Sequence, residues 1–270
     1  MSNFAITDTG IIDTNKVPVF TVNTDRSVYE VIRLIEGIAL FLEDHFARLL
    51  HSARISGIQL NMQLSEFDQA IEKLIITNHQ NTGNIKFLLT VTNNMNHWSL
   101  SFIPHSYPTD NDYQQGVPTG LLYAERSNPE AKVIQRSVRE KADQMIADRK
   151  LYEVLLVDRN GLITEGSRSN VFFIKGNRFY TAPAAMVLSG VTRKKVLECL
   201  HELNYPVIEL AVPAQEVSNY EAVFLTGTSP KVLPIDAIDN CHFKTDHPLM
   251  KALMDYYNKK LDEYILSKKG

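Results

Sequence analysis

The stretch Thr164-Glu165-Gly166-Ser167-Arg168-Ser169-Asn170 lies between two runs that read as buried strands, Glu153-Val154-Leu155-Leu156-Val157 and Val171-Phe172-Phe173-Ile174. It sets a carboxylate, a glycine and a cluster of hydroxyl and amide side chains where a sheet should be dry. Two readings are open at this point. The stretch is a surface turn at the rim of a meander, or Glu165 is a partly buried anion facing a cationic ligand atom, because an ionised carboxylate removed from water needs a partner.

Working outward, Leu162 to Glu165 and Phe179 to Thr181 add strands, with Asn160-Gly161 and Gly176-Asn177 as hairpin-turn signals, so this region reads as a meander. Upstream, Pro129-Glu130-Ala131 leads into a helical pattern carried by Ile134, Val138, Ala142, Met145 and Ile146, which places Lys132 at the mouth of a helix. A short strand spans Gly120 to Ala124. Downstream, Gly190-Val191-Thr192 opens a helix whose apolar face is Val196, Cys199, Leu200 and Leu203, and the first turn of such a helix offers backbone N–H groups to an anion. A strand at Ala222 to Leu225 runs into Thr226-Gly227-Thr228-Ser229-Pro230, and a last helix starts near Leu249.

The N-terminal third is organised separately. Val17 to Val22 and Val28 to Leu34 read as strands broken by Asn23-Thr24-Asp25. From Leu42 the period becomes helical through Phe46, Leu49, Leu50, Ala53 and Gly57, with Glu43 and Asp44 in the first turn and Arg48 off the stripe. Ser65 opens a second amphipathic helix. Ile85 to Thr92 and Trp98 to Ile103 form a hairpin across Asn93 to Asn96. Pro104 to Pro118 is rich in turn and polar residues and separates two regions with their own strands and helices, so the chain divides into a small α/β domain, residues 1–117, and a larger domain, residues 118–270.

Composition narrows the function classes. In 270 residues, 28 Lys+Arg stand against 31 Asp+Glu, with no extended basic run before Lys268-Lys269, which argues against a nucleic-acid partner. The two cysteines, Cys199 and Cys241, have no metal-ligand spacing and read as reduced thiols of a cytoplasmic protein. The N-terminus carries no basic lead into an apolar segment, and no apolar run reaches membrane-spanning length. No metal site is expected, and His45 and His51 read as helix-surface residues. Dinucleotide, P-loop, zinc-protease and serine-hydrolase signatures are absent.

What remains is an ordered set: Tyr29-Glu30-Val31; His45-Phe46-Ala47-Arg48-Leu49; Lys132; Tyr152-Glu153 leading to Asp158 through Gly161; TEGSRSN followed by Val171-Phe172-Phe173; Gly190-Val191-Thr192-Arg193; and Thr226-Gly227-Thr228. In this order the set resembles the fold-type IV pyridoxal-phosphate enzymes, the group that includes branched-chain and D-amino-acid transaminases and aminodeoxychorismate lyase. The likeness spans nearly the whole chain. It implies a two-domain α/β fold whose larger domain carries a β-meander or pseudo-barrel, and pyridoxal 5'-phosphate as cofactor. It implies an amino acid and a 2-oxo acid as substrates, and a homodimer.

Residue by residue, the resemblance makes Lys132, rather than Lys141 or Lys150, the Schiff-base lysine and proton shuttle. Its place at a helix mouth would favour the neutral amine. Glu165 becomes the partner of the pyridine nitrogen, with Gly166 permitting close backbone approach. Arg48, the amides of Val191 and Thr192, and the Thr228 hydroxyl become a phosphate cradle. Tyr29, Gly227 and Ser229 are the candidates for substrate binding. One departure is plain: Thr92-Asn93-Asn94-Met95-Asn96-His97 holds no arginine where the transaminases grip a substrate carboxylate. The reading therefore carries three functions forward: a transaminase, branched-chain-like or otherwise, a lyase releasing pyruvate, and a non-catalytic member of the fold.

Overall fold

A computed structural model describes residues 4–16, 27–92, 95–126, 130–133 and 136–269. The expected strand at Val17 to Val22, the break at Asn23-Thr24-Asp25, and Asn93, Asn94, Pro129 and Ile134 lie outside the described residues. The chain separates into two compact units. One comprises Met1–Ser106, Ala131–Ile134 and Leu261–Gly270, and the other Tyr107–Glu130 and Gln135–Lys260. Relative to a single division at 117/118, the boundary falls earlier, and two distant segments, one of them holding Lys132, join the N-terminal unit.

The first unit holds β1 (Phe4–Thr7), β2 (Gly10–Asp13), β3 (Ser27–Ile35), β4 (Ile38–Ala39), α1 (Leu42–Ile55), α2 (Leu64–Asn78), β5 (Gly83–Thr92) and β6 (Met95–Ile103). Its sheet runs β2-β1-β6-β5-β3-β4. Along β3 burial alternates with the strand period: Val28, Glu30, Ile32 and Leu34 are buried, while Tyr29, Val31 and Arg33 are half-buried. The buried face meets Phe46 and Leu49 of α1 and Phe67, Ile71 and Leu74 of α2 in one core with Ile85, Phe87 and Leu89. The β5–β6 ladder runs out to Thr92 opposite Met95, so the hairpin is tighter than the sequence suggests.

The second unit holds α3 (Asp110–Gln115), β7 (Val117–Tyr123), α4 (Arg136–Arg149), β8 (Glu153–Val157), β9 (Leu162–Gly166), β10 (Asn170–Lys175), β11 (Arg178–Thr181) and α5 (Val191–Glu202). After these come β12 (Val207–Glu209), β13 (Val212–Pro213), β14 (Ala222–Gly227), β15 (Lys231–Ile238) and β16 (Cys241–His242), and α6 (Pro248–Lys269) ends the chain, its residues from Leu261 on belonging to the first unit. The sheet order is β12-β11-β10-β14-β15-β7-β8-β9-β13, with β16 on β15. β8–β9 and β10–β11 pair as antiparallel neighbours, as the turn signals require. β9 and β10 do not ladder with each other; β14, β15, β7 and β8 stand between them in the sheet. TEGSRSN is thus the step by which the chain crosses a curling sheet.

Among the described residues no helix is long and apolar enough to cross a membrane, and no cluster of three metal-ligating side chains occurs.

Candidate active site

In the first unit, the site residues are set by β3 and α1. Glu30 is fully buried on the core face of β3. Its carboxylate accepts from Arg48 Nε at 2.8 Å and Arg48 Nη2 at 2.7 Å, and lies 2.9 Å from His45 Nδ1. Burial alone would raise the Glu30 carboxyl, but the Arg48 charge and the hydrogen bonds from Arg48 and His45 outweigh it and bring it down to about 2. Burial pushes the His45 imidazole below its usual value against the opposing pull of Glu30, which favours a neutral ring that donates to the carboxylate. His45 is therefore not a surface residue, whereas His51 is exposed. The sequence reading missed the Glu30 role, although Glu30 in the hydrophobic register of an alternating strand is a signal that a cation must be buried with it.

Lys132 does not stand at a helix mouth. Ala131 to Val133 are not helical: Val133 N–H donates back to the Ala131 carbonyl at 2.9 Å, Val133 bridges Val28, the Lys132 carbonyl accepts from Tyr29 N–H at 3.1 Å, and α4 spans Arg136–Arg149. Its backbone N–H donates to Ser52 Oγ on α1 at 3.2 Å, one turn beyond Arg48. The helix dipole invoked from sequence is therefore not what surrounds this amine. What surrounds it is Tyr29, with Lys132 Nζ 4.8 Å from the ring centroid. Tyr29 and Lys132 are thus brought together within one unit, while Arg48 is engaged with Glu30 on the core face of β3. His97, at the end of the stretch lacking an arginine, is engaged with Asp8 at 2.8 Å.

In the second unit Glu165 is the penultimate residue of β9, with 2% of its surface exposed. Arg126 Nη1 donates to Oε1 at 3.1 Å, the Leu188 N–H donates to Oε2 at 3.1 Å, and Asn170 Nδ2 lies 3.4 Å from Oε2 while donating to the Leu188 carbonyl at 3.0 Å. Glu165 is a buried anion, and the surface-turn reading is set aside. Its charge is balanced by Arg126, a partner no local pattern announced.

Ser167, Arg168 and Ser169 are held by a second carboxylate. Glu153 Oε1 accepts from Ser167 Oγ at 2.7 Å and Val154 N–H at 2.9 Å, and Oε2 from Arg168 N–H and Ser169 Oγ, each at 3.0 Å. The turn closes through Gly166 N–H to the Ser169 carbonyl at 2.7 Å. A Cβ on Gly166 would come within 2.1 Å of Ser169 Oγ, which explains the glycine.

Gly190 is the N-cap of α5 and brings no side-chain cap, leaving the Val191 and Thr192 amides in the first turn. A Cβ there would meet Asn170 Oδ1 at 2.1 Å, so the glycine lets the helix start against the residue that steadies Glu165. Asn170 pairs across the sheet with Thr226, whose hydroxyl is buried, 1% exposed, and finds no hydrogen-bond partner among the described residues. Gly227, Thr228 and Ser229 follow directly. An orphaned buried hydroxyl, an uncapped helix start and an oriented carboxylate fit an anionic, nitrogen-containing ring cofactor in chemistry.

The class IV amino-transferase family model matches residues 27–238. The D-alanine aminotransferase of Bacillus licheniformis is 32% identical over 225 residues, covering 78% of each chain. A Rickettsia conorii protein assigned as a branched-chain-amino-acid aminotransferase is 26% identical over 254 residues, 88% of this chain and 87% of its own length. The fold matches the crystal structure of the Escherichia coli branched-chain amino acid aminotransferase with a TM-score of 0.86 at 19% identity, over 97% of this chain and 95% of that one. With the family model matching residues 27–238 and a relative 32% identical over 78% of the chain, the chain belongs to the class IV aminotransferase family.

Proposed function

We propose that this protein is a pyridoxal-phosphate-dependent aminotransferase moving an amino group between an amino acid and a 2-oxo acid, with Lys132 as the amine that binds the cofactor. The observation that carries the reading is the anchoring of Lys132, whose backbone is tied on one side to Ser52 and on the other to Tyr29 while Nζ lies over the Tyr29 ring. A side chain held this way presents its amine at low entropic cost. When bound, pyridoxal phosphate supplies an aldehyde that takes up the amino group and a ring that withdraws electrons.

The chain's own residues divide the remaining work. Lys132 moves the proton, and Glu165, oriented by Arg126 and Leu188, holds negative charge for the ring nitrogen. Val191 and Thr192 amides, the Thr228 hydroxyl and Arg48 bind phosphate, and Tyr29, Gly227 and Ser229 bind substrate. The named relatives act on D-alanine or branched-chain amino acids, and both classes belong in the test. The two free thiols, Cys199 and Cys241, support a reducing, cytoplasmic setting, and the family resemblance supports a homodimer.

The test is a spectral titration of the reconstituted protein with D-alanine, L-leucine and L-glutamate. One of them shifts the visible cofactor band to that of the amine form, and Lys132→Ala abolishes the shift. A band unmoved by every amino acid tried overturns the reading, and pyruvate released from aminodeoxychorismate without an amino acceptor replaces it with the lyase.

A further inference from the structure

β5, the strand that runs into the stretch lacking a carboxylate-gripping arginine, carries at Lys86 a lysine that nothing above assigns. The β3–β5 register places Tyr29 opposite Leu88, Val31 opposite Lys86 and Arg33 opposite Asn84. Strand alternation then puts Lys86 on the same sheet face as Tyr29, away from the core face built from Ile85, Phe87 and Leu89. Lys86 Nζ lies 5.3 Å from the Tyr29 ring centroid, and Lys132 Nζ lies 4.8 Å from the same centroid. Two lysine side chains therefore converge on one tyrosine ring. The neighbouring strand adds hydroxyls to this face, Ser101 opposite Lys86 and Ser99 opposite Leu88. Arg33 shares the face but stands four residues along β3 from Tyr29, roughly 13 Å away along the strand.

We propose that Lys86 is the substrate-carboxylate cation of this enzyme: its ammonium and the Tyr29 hydroxyl grip the carboxylate of the amino acid or 2-oxo acid while Lys132 serves the amino-group end. The proposal rests on the aminotransferase reading and adds to it the group that replaces the missing arginine. A lysine is a compact, mobile charge rather than a planar fork, so it holds a carboxylate without the bidentate geometry an arginine imposes. All of the residues involved belong to one unit, and Lys86 is half-buried, so its charge is only partly screened by water.

The test uses the cofactor-loaded protein and two probes, pyruvate and its uncharged analogue pyruvamide, titrated by calorimetry. Steady-state KM and kcat are measured in parallel for an amino acid that the wild type turns over. Wild type binds pyruvate more tightly than pyruvamide. K86M abolishes that preference and raises KM about 10- to 100-fold with a smaller change in kcat, the loss expected of one charge-assisted contact. K86R restores most of both, which a purely structural role for Lys86 would not predict. K86Q gives the same readings should K86M fail to fold. An unchanged KM and an unchanged pyruvate preference in the neutral variants overturn the proposal, as does a wild type that does not distinguish the two probes. A wild type that turns over no amino acid overturns the aminotransferase reading, and the pyruvate-to-pyruvamide ratio still decides the role of Lys86.

Discussion

Glu30 and Glu165 are both carboxylates inside a sheet, each paired with an arginine, yet they are held differently. Around Glu30 the partners are side chains of a single helix, Arg48 and His45, and the group is fully enclosed. Around Glu165 one oxygen takes an arginine, and the other takes a backbone N–H from the segment leading into α5 and approaches Asn170. The first arrangement locks a helix to a strand and fixes the direction of Arg48. The second ties a carboxylate to a loop and a helix start, where a ligand's charge can be met. Burial of a carboxylate alone does not set its role; the role proposed for Glu165 draws on the origin of its donors.

That contrast can be broken experimentally. Glu30→Gln leaves the buried Arg48 without its counter-charge, so urea unfolding should show a loss of about 3–5 kcal/mol. A loss under about 1 kcal/mol would mean that Glu30 is not the lock described. Acid should reveal the same lock. The Glu30 carboxyl sits below its ordinary value of 4.5, at about 2, so its stabilisation is complete above the ordinary value and is lost as pH falls toward 2. The lowered His45 imidazole adds loss in the same direction, beginning as pH drops through the usual histidine range near about 6.5. Stability measured from pH 7 to pH 3 should fall more steeply in wild type than in a His45→Gln, Glu30→Gln double variant.

Glu165→Gln should behave in the opposite sense to Glu30→Gln. The expectation is a fall in kcat of about 100-fold or more with the chain still folded. Retained turnover would remove Glu165 from the chemistry. Smallest is Gly190→Ala, whose added methyl must displace Asn170 and through it the Glu165 carboxylate. About 1–3 kcal/mol of destabilisation is expected, with weaker cofactor binding by fluorescence titration.

Much of the architecture was legible because it is written in local periods. The strand over Val28 to Leu34, the helical positions Phe46, Leu49 and Ala53, and the Asn160-Gly161 and Gly176-Asn177 turns appear as read, whereas Leu50, placed on the same stripe, is exposed. Lys132 was misplaced because Ala131 and the following apolar spacing suit a helix, while the bond that holds the segment against β3 is made to Tyr29, more than a hundred residues away. His45 was assigned to the surface because its helix position says nothing of Glu30. Arg126 and Glu153, which fix Glu165 and the Ser167–Ser169 turn, left no local trace, since their bonds span the crossing step between strands that do not pair. Ser167 and Ser169 marked the family in the sequence, and the structure gives them the task of closing a turn on Glu153.

The central claim is that Lys132 is the amine that carries the cofactor. Incubation with pyridoxal phosphate, borohydride reduction, proteolysis and mass spectrometry tests it directly. The account predicts a phosphopyridoxyl mass increase on the peptide containing Lys132, at close to one group per chain and absent from Lys132→Ala. A stoichiometric adduct on Lys86, Lys141 or Lys150, or no adduct at all, would contradict it.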